Sequence, residues 1–198
     1  MDKLIIATNN TGKVKEIKEI LAGRFEKIVS LKDEGLIIDV MEDGVTFEEN
    51  AVKKAKEVAN LTGCWALADD SGICVDYLNG APGVYSARFA GEKATDAANN
   101  EKLIELMKDS PESERGAHYA CAMALASPEG GVVTAYGEVY GEIIFAPRGE
   151  NGFGYDPLFY MKEFSKTMAE LAPEIKNGIS HRFNALKALN EKLQTKKP

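Results

Sequence analysis

Short apolar runs and helix-period stripes alternate along the chain. Leu4-Ile5-Ile6-Ala7 is an unbroken apolar run, the pattern of a buried strand, and Thr8-Asn9-Asn10-Thr11-Gly12 after it has the composition of a turn. Apolar positions at Val14, Ile17, Ile20 and Leu21 predict an amphipathic helix over 13–21, with Gly23 as its stop. Lys27 to Leu31 predicts a second strand. Thr46-Phe47-Glu48-Glu49 has the form of a capping box and predicts a helix through Asn60, ended by Gly63. Cys64-Trp65-Ala66-Leu67-Ala68 predicts another buried strand. It runs into Asp69-Asp70-Ser71-Gly72, whose residue types suit a turn, and a short apolar run, Ile73-Cys74-Val75, follows.

The second half changes character. A Gly/Pro-rich loop over 80–88 precedes a Thr95-capped helix to Lys108. From His118 to Leu125, small residues (Ala120, Ala122, Ala124) alternate with larger ones, and Pro128-Glu129-Gly130-Gly131 turns the chain. Strand-like alternation resumes from Val132 to Phe145, predicting a long antiparallel ribbon within a mixed sheet. Gly149 to Pro157 is a glycine-rich loop. Asn177 to Arg182 opens a last helix with Phe183, Leu186, Leu189 and Leu193 on its apolar side, and the tail from Thr195 is expected to fray.

Composition narrows the class. With 198 residues, 44% of them hydrophobic and 28% charged, the chain has material for one sizeable core and reads as a single two-lobed domain, 1–198. A net charge of −7 argues against a nucleic-acid polymer and against an anionic membrane as partner. It leaves room for a small anionic ligand held by local lysines and arginines. The first apolar run is too short for a signal peptide or a membrane span. Cys64, Cys74 and Cys121 lie in apolar runs without metal-ligand spacing, as expected of reduced core residues in a cytoplasmic protein.

Two stretches carry candidate chemistry. A strand, a Thr/Asn/Gly turn and a helix start over 4–13 make an anion cradle, because free backbone N–H groups and the helix dipole both favour phosphate. The stretch is not a Walker A loop: the leading glycine is missing and Val14 stands where Ser or Thr would bind magnesium. Lys13 still supplies a point charge. The acid pair Asp69-Asp70 at a strand end is the second stretch. Neighbouring strand residues face opposite sides, so the two acids need not share a task. The glycine-rich loop 149–157 lacks the third glycine of a dinucleotide fingerprint, and Pro157 bars the helix that should follow.

Six segments together resemble one family, the inosine triphosphate (dITP/XTP) pyrophosphatases, which act on non-standard purine nucleoside triphosphates. They are TNNTGKVKE (8–16), TFEENAVKKA (46–55), ALADDSG (66–72), GAPGVYSARF (80–89), NGFGYDP (151–157) and SHRFNAL (180–186), in the family's order and spread over nearly the whole chain. Thr8 stands where many members have Ser, which keeps the hydroxyl. Phe183 follows the His-Arg pair where a smaller residue is expected. The resemblance implies an elongated α/β fold, a long mixed sheet with flanking helices in two lobes and the substrate in the cleft between them. It also implies a homodimer and a Mg²⁺-dependent hydrolysis to monophosphate and pyrophosphate. It makes Thr8, Asn9, Asn10, Thr11, Gly12, Lys13, Lys54, Ser71, Phe153, Gly154, Tyr155, Asp156, Lys176, His181 and Arg182 substrate-binding residues.

The residue chemistry agrees. A triphosphate calls for cations and oriented N–H groups, which Lys13, Lys54 and the 8–13 loop offer. Magnesium prefers carboxylate oxygens while keeping several waters, so Glu42 and Asp70 are its expected ligands, with Asp70 also the base toward water. Asp69 is expected to support the turn rather than react. Lys176, His181 and Arg182 are donors that match the 6-oxo group of inosine or xanthine and oppose the 6-amino group of adenine, and Phe153 offers a ring to the purine face. Two competing readings are a related pyrophosphatase for modified pyrimidine nucleotides and a nucleotide sensor that binds without hydrolysis. The SHR and FGYD motifs weigh against the first, and acids beside a polyanion weigh against the second.

Overall fold

The computed structural model of the chain describes residues 3–8 and 11–195. Asn9, Asn10 and the terminal 196–198 therefore lie outside the described residues. Seven strands form one sheet in the order β2-β1-β3-β4-β5-β6-β7. They are β1 Lys3–Ile6, β2 Lys27–Ser30, β3 Trp65–Val75, β4 Gly116–Ala126, β5 Val132–Ile143, β6 Phe159–Met161 and β7 Lys166–Thr167. β1 runs parallel to β2 and to β3, whereas β6 is antiparallel to both β5 and β7, so the sheet is mixed. Among the described residues five α-helices accompany it: α1 Thr11–Ile20, α2 Phe47–Thr62, α3 Asp96–Met107, α4 Pro173–Ile179 and α5 His181–Thr195.

The chain divides into two compact units. One comprises residues 1–70, 121–137 and 182–198, the other 71–120 and 138–181. Each has its own apolar core. In the first, Leu4, Ile6 and Leu67 of the sheet pack with Ile17 and Leu21 and with Ala185, Leu186 and Leu189 of α5. In the second, Ile73 and Val75 pack with Leu103 and Met107 of α3 and with Tyr155, Leu158 and Phe159. Burying a side chain of this size contributes about 1.5–3 kcal/mol. β4 and β5, joined by a tight turn at Ser127–Gly131, form the expected hairpin.

Where local chemistry decides, the sequence reading matches the structure. Thr46 caps α2, Glu49 closes the capping box, and Gly63 ends the helix at φ 63°, a left-handed conformation that suits glycine. Thr95 caps α3.

Four expectations are corrected. The segment Asp69-Asp70-Ser71-Gly72 is not a turn: β3 runs through it without a break, because ladder pairing in the sheet overrides the turn preference of its residues. α1 begins at Thr11, so the turn before it is shorter than expected. Asn177–Ile179 do not open the last helix but end a separate one, α4, which starts with Pro173 in its first turn. Ser180, extended at φ −65° and ψ 154°, breaks the two apart. Finally, of the three free cysteines only Cys121 is fully buried, with Cys64 and Cys74 half-buried.

Candidate active site

Asp69 is the charge centre of the first unit. Its carboxylate is buried and accepts from Lys13 Nζ at 2.7 Å, with Arg182 Nε 3.4 Å from the same oxygen. Burial opposes its ionisation, but the charges of Lys13, Arg182 and Lys54 outweigh burial and hold the carboxyl well below the usual carboxylate range. Burial, with the negative charges of Asp69 and Asp70 beside it, pushes the Cys121 thiol far up against the opposing pull of Arg182 and Lys13, leaving it an inert core residue. Removing one partner of such a buried set exposes the others to an uncompensated cost, about 3–5 kcal/mol. Asp69→Ala should therefore lower unfolding free energy by that order in urea titrations, and Asp69→Asn by less, since an amide oxygen still accepts. The pH sign follows from the depressed value. The stabilisation is present above the ordinary carboxylate range and is lost as pH falls through and below it. Both variants should flatten that acid limb in metal-free buffer; an unchanged limb would contradict the assignment.

Asp70, the next residue of β3, faces different partners. Asn50 of α2 donates from Nδ2 to Asp70 Oδ2 at 2.9 Å, and Asn50 is almost fully buried. Lys54, one turn further along α2, donates to Glu42 Oε1 and to the backbone carbonyl of Asp69, both at 2.6 Å. Thr8, Lys13, Asp39, Glu42, Lys54 and Asp69 line a cavity of 320 Å³ within this unit. That volume lies at the small end of the range for small-molecule sites, about 300–1,000 Å³. Ser71 continues β3 and is half-buried. Thr11 and Gly12 form the first turn of α1.

The second unit assembles a separate set around Asp156. This buried carboxylate pairs with Lys176 Nζ at 2.5 Å, accepts from the Phe153 backbone N–H at 2.9 Å and from the Tyr119 hydroxyl at 3.3 Å. Gly152 has φ +83°, and a Cβ there would overlap the Asp156 carboxylate, so the loop closes this tightly only on glycine. Phe153 is 57% exposed, an unusual state for its type, and the Lys176 ammonium lies 4.8 Å from its ring centroid. Gly154 is pinned to α3, its N–H on Asp96 and its carbonyl on Asn100. Tyr155 is buried and donates to the Ser86 carbonyl, so its side chain holds the loop in place. His181, also buried, stacks on Tyr119 with ring centroids 4.9 Å apart and planes 15° apart.

The structure thus sorts the expected residues into two groups. Lys13, Glu42, Lys54, Asp69, Asp70 and Arg182 belong to one unit; Phe153 to Asp156, Lys176 and His181 belong to the other. Arg182 stands with the acids rather than beside His181 in this sorting. Two side chains escaped the sequence reading. The sequence reading gives Asn50 no role, although its spacing of four from Lys54 puts both on one side of α2. Tyr119 reads only as part of a strand alternation, and no local signal marks its contact with Asp156. Among the described residues no group of three or more His, Cys, Asp or Glu side chains gathers closely enough to hold a metal alone. Also among them, no helix is long and apolar enough to cross a membrane.

Comparison with known proteins gives a consistent answer. The family model described as the Ham1 family matches residues 4–192. A dITP/XTP pyrophosphatase of Geobacter sulfurreducens is 52% identical over 193 residues, covering 98% of this chain and 97% of the relative. One from Bacillus subtilis is 49% identical over 194 residues, with 98% of each chain covered. Among solved structures, a HAM1 protein from Coxiella burnetii superposes with a TM-score of 0.90 at 41% identity, covering 98% of this chain and all of the other. The Ham1 protein of Staphylococcus aureus matches with the same TM-score, identity and coverage.

Proposed function

The chain belongs to the Ham1 family, and from that premise we propose that it hydrolyses dITP, ITP and XTP to the monophosphate and pyrophosphate, clearing them from the nucleotide pool. One observation carries the reading: two lysines and three carboxylates line one cavity, beside a fourth carboxylate that a buried amide holds in place. Lysines at such a wall suit a polyanion. Carboxylates there suit a divalent cation arriving with it.

Mg²⁺ fits this donor set. Glu42 and Asp70 are hard oxygen ligands from two segments, and magnesium takes one or two carboxylates, with waters and substrate phosphates filling the remaining positions. When bound, the ion would neutralise phosphate charge and make a water it holds more acidic.

This chain's own residues do the rest. Lys13 and Lys54 hold the triphosphate, and the helix start after Thr8 offers backbone N–H groups. Asp70 accepts the proton of the attacking water. The water oxygen bonds to the α-phosphorus, the α–β anhydride bond breaks, and pyrophosphate departs with the electron pair. Lys176, His181 and Arg182 donate to the purine 6-oxo group while Phe153 covers the ring. Asp69 keeps Lys13 and Arg182 in place without reacting. The proposal carries with it a homodimer, to be read as twice the 21.5 kDa chain mass by light scattering, and a cytoplasmic location.

The experiment is a panel of nucleoside triphosphates with and without Mg²⁺. ITP, dITP and XTP should turn over fast only with the metal, and the ribose and deoxyribose forms should differ little. Preference for a pyrimidine triphosphate would move the protein to another activity. Binding of ITP without turnover would make it a sensor.

A further inference from the structure

The geometry points to Asn50 as a positioning residue that sets the Asp70 carboxylate and the Glu42 loop relative to one another. This rests on the proposed roles of Asp70 and Glu42. Asn50 sits in the second turn of α2 and is 1% exposed. Its amide is used at both ends: Nδ2 donates to Asp70 Oδ2 at 2.9 Å, and Oδ1 accepts from the Gly44 backbone N–H at 2.8 Å. Those partners define which end is which, since a carboxylate only accepts and an N–H only donates.

The loop that carries Glu42 is laced to α2 at successive points. Lys53 holds Asp43, Lys54 holds Glu42, and Glu49 accepts from the Val45 and Thr46 N–H groups. Lys54 and, one turn before it, Asn50 reach on to the acids of β3. Lys54 spans from Glu42 to the Asp69 carbonyl, and Asn50 spans from Gly44 to the Asp70 carboxylate. The bridges stand one helical turn apart on one face. Gly44 is what lets the second one form, because a Cβ there would lie 2.7 Å from Asn50 Oδ1 and 2.8 Å from Glu49 Cβ.

The residue type fits the task. A lysine at position 50 would neutralise Asp70, and an aspartate would repel it. The amide orients one carboxylate oxygen and adds no charge. Groups that orient a metal-ligating carboxylate are worth about 10–100-fold in metal affinity or activity.

The test is a double-mutant cycle of Asn50→Ala and Asp70→Asn. It is read as ITP turnover and as the affinity for Mn²⁺ alone, measured by the electron-spin signal of the free ion. Asn50→Ala should lower kcat about 10–100-fold, with KM for ITP changing far less, and should weaken Mn²⁺ binding by a similar factor. In the Asp70→Asn background the same change should add almost nothing, since residues that act through one another are non-additive. One common factor in both backgrounds, or Mn²⁺ affinity unaltered by Asn50→Ala, overturns the positioning role. An Asp70→Asn protein as active as its parent overturns the underlying reading instead. Should Asn50→Ala not fold, Asn50→Asp serves, since it keeps the volume and the acceptor for Gly44 while replacing the donor. Unchanged kcat in that variant also overturns the inference.

Discussion

Asp70→Asn should reduce kcat for ITP by about 10²–10⁴, the range a positioned general base contributes. The fold should survive, because Asn50 can donate to an amide oxygen as it does to the carboxylate. Asp69→Asn should cost less in kcat and more in stability. Its partners Lys13 and Arg182 make it a buried structural charge, whereas Asp70 is half-buried and faces Asn50. The contrast between neighbours is the informative part. A strand sends adjacent side chains to opposite faces, so two acids in sequence hold separate environments and separate duties. The check is steady-state kinetics of both variants beside their urea midpoints. Equal kcat losses with equal stability losses would show that the two acids had not been told apart.

The second large effect concerns the base. Replacing His181 or Arg182 by Ala should lower kcat/KM for ITP far more than for ATP and so compress the ratio between them. Sites that read a substrate by buried polar groups reject the mismatched analogue by as much as about 10⁴, because the wrong base leaves those donors unpaired. The donors of the second unit are rigidly held. Lys176 is fixed by Asp156, the same carboxylate accepts from Tyr119, and Tyr119 backs the His181 ring. Such pre-organisation is what makes a mismatch costly. Lys13→Ala serves as the control and should weaken every triphosphate alike. Arg182 is the sharper case, since its Nε faces Asp69. A common loss for ITP and ATP in Arg182→Ala would assign it to the phosphates and remove it from base selection.

Much of this was legible before the structure, and the reasons are physical. Caps and stops depend on a few neighbouring residues, so Thr46, Glu49, Gly63 and Thr95 announced their helices. Helical periodicity located the buried face of α5 at Leu186 and Leu189. Asp-Ser-Gly misled because turn preference is a local property, while the ladder that keeps β3 straight comes from strands distant in sequence. Ser180 was hard to see as a break because the motif it opens reads as one unit.

The site was less legible than the fold. Lys13, Glu42, Lys54 and Asp70 were expected from the family resemblance and from the match of their charges to a triphosphate and its metal, and the structure places all four in one unit. Partnerships were not, because a contact such as Asn50 with Asp70 joins α2 to β3 across 20 positions of sequence. Nor could the motif around Gly152 show that Asp156 is buried under Lys176 and Tyr119 and shapes the loop from within.

The central claim is cleavage between the α and β phosphates, and phosphorus NMR of the products tests it most directly. ITP, Mg²⁺ and the protein should yield IMP and pyrophosphate as the first products, in equal amounts, with IDP absent throughout. Orthophosphate accumulating together with IDP from the earliest time points would contradict the account.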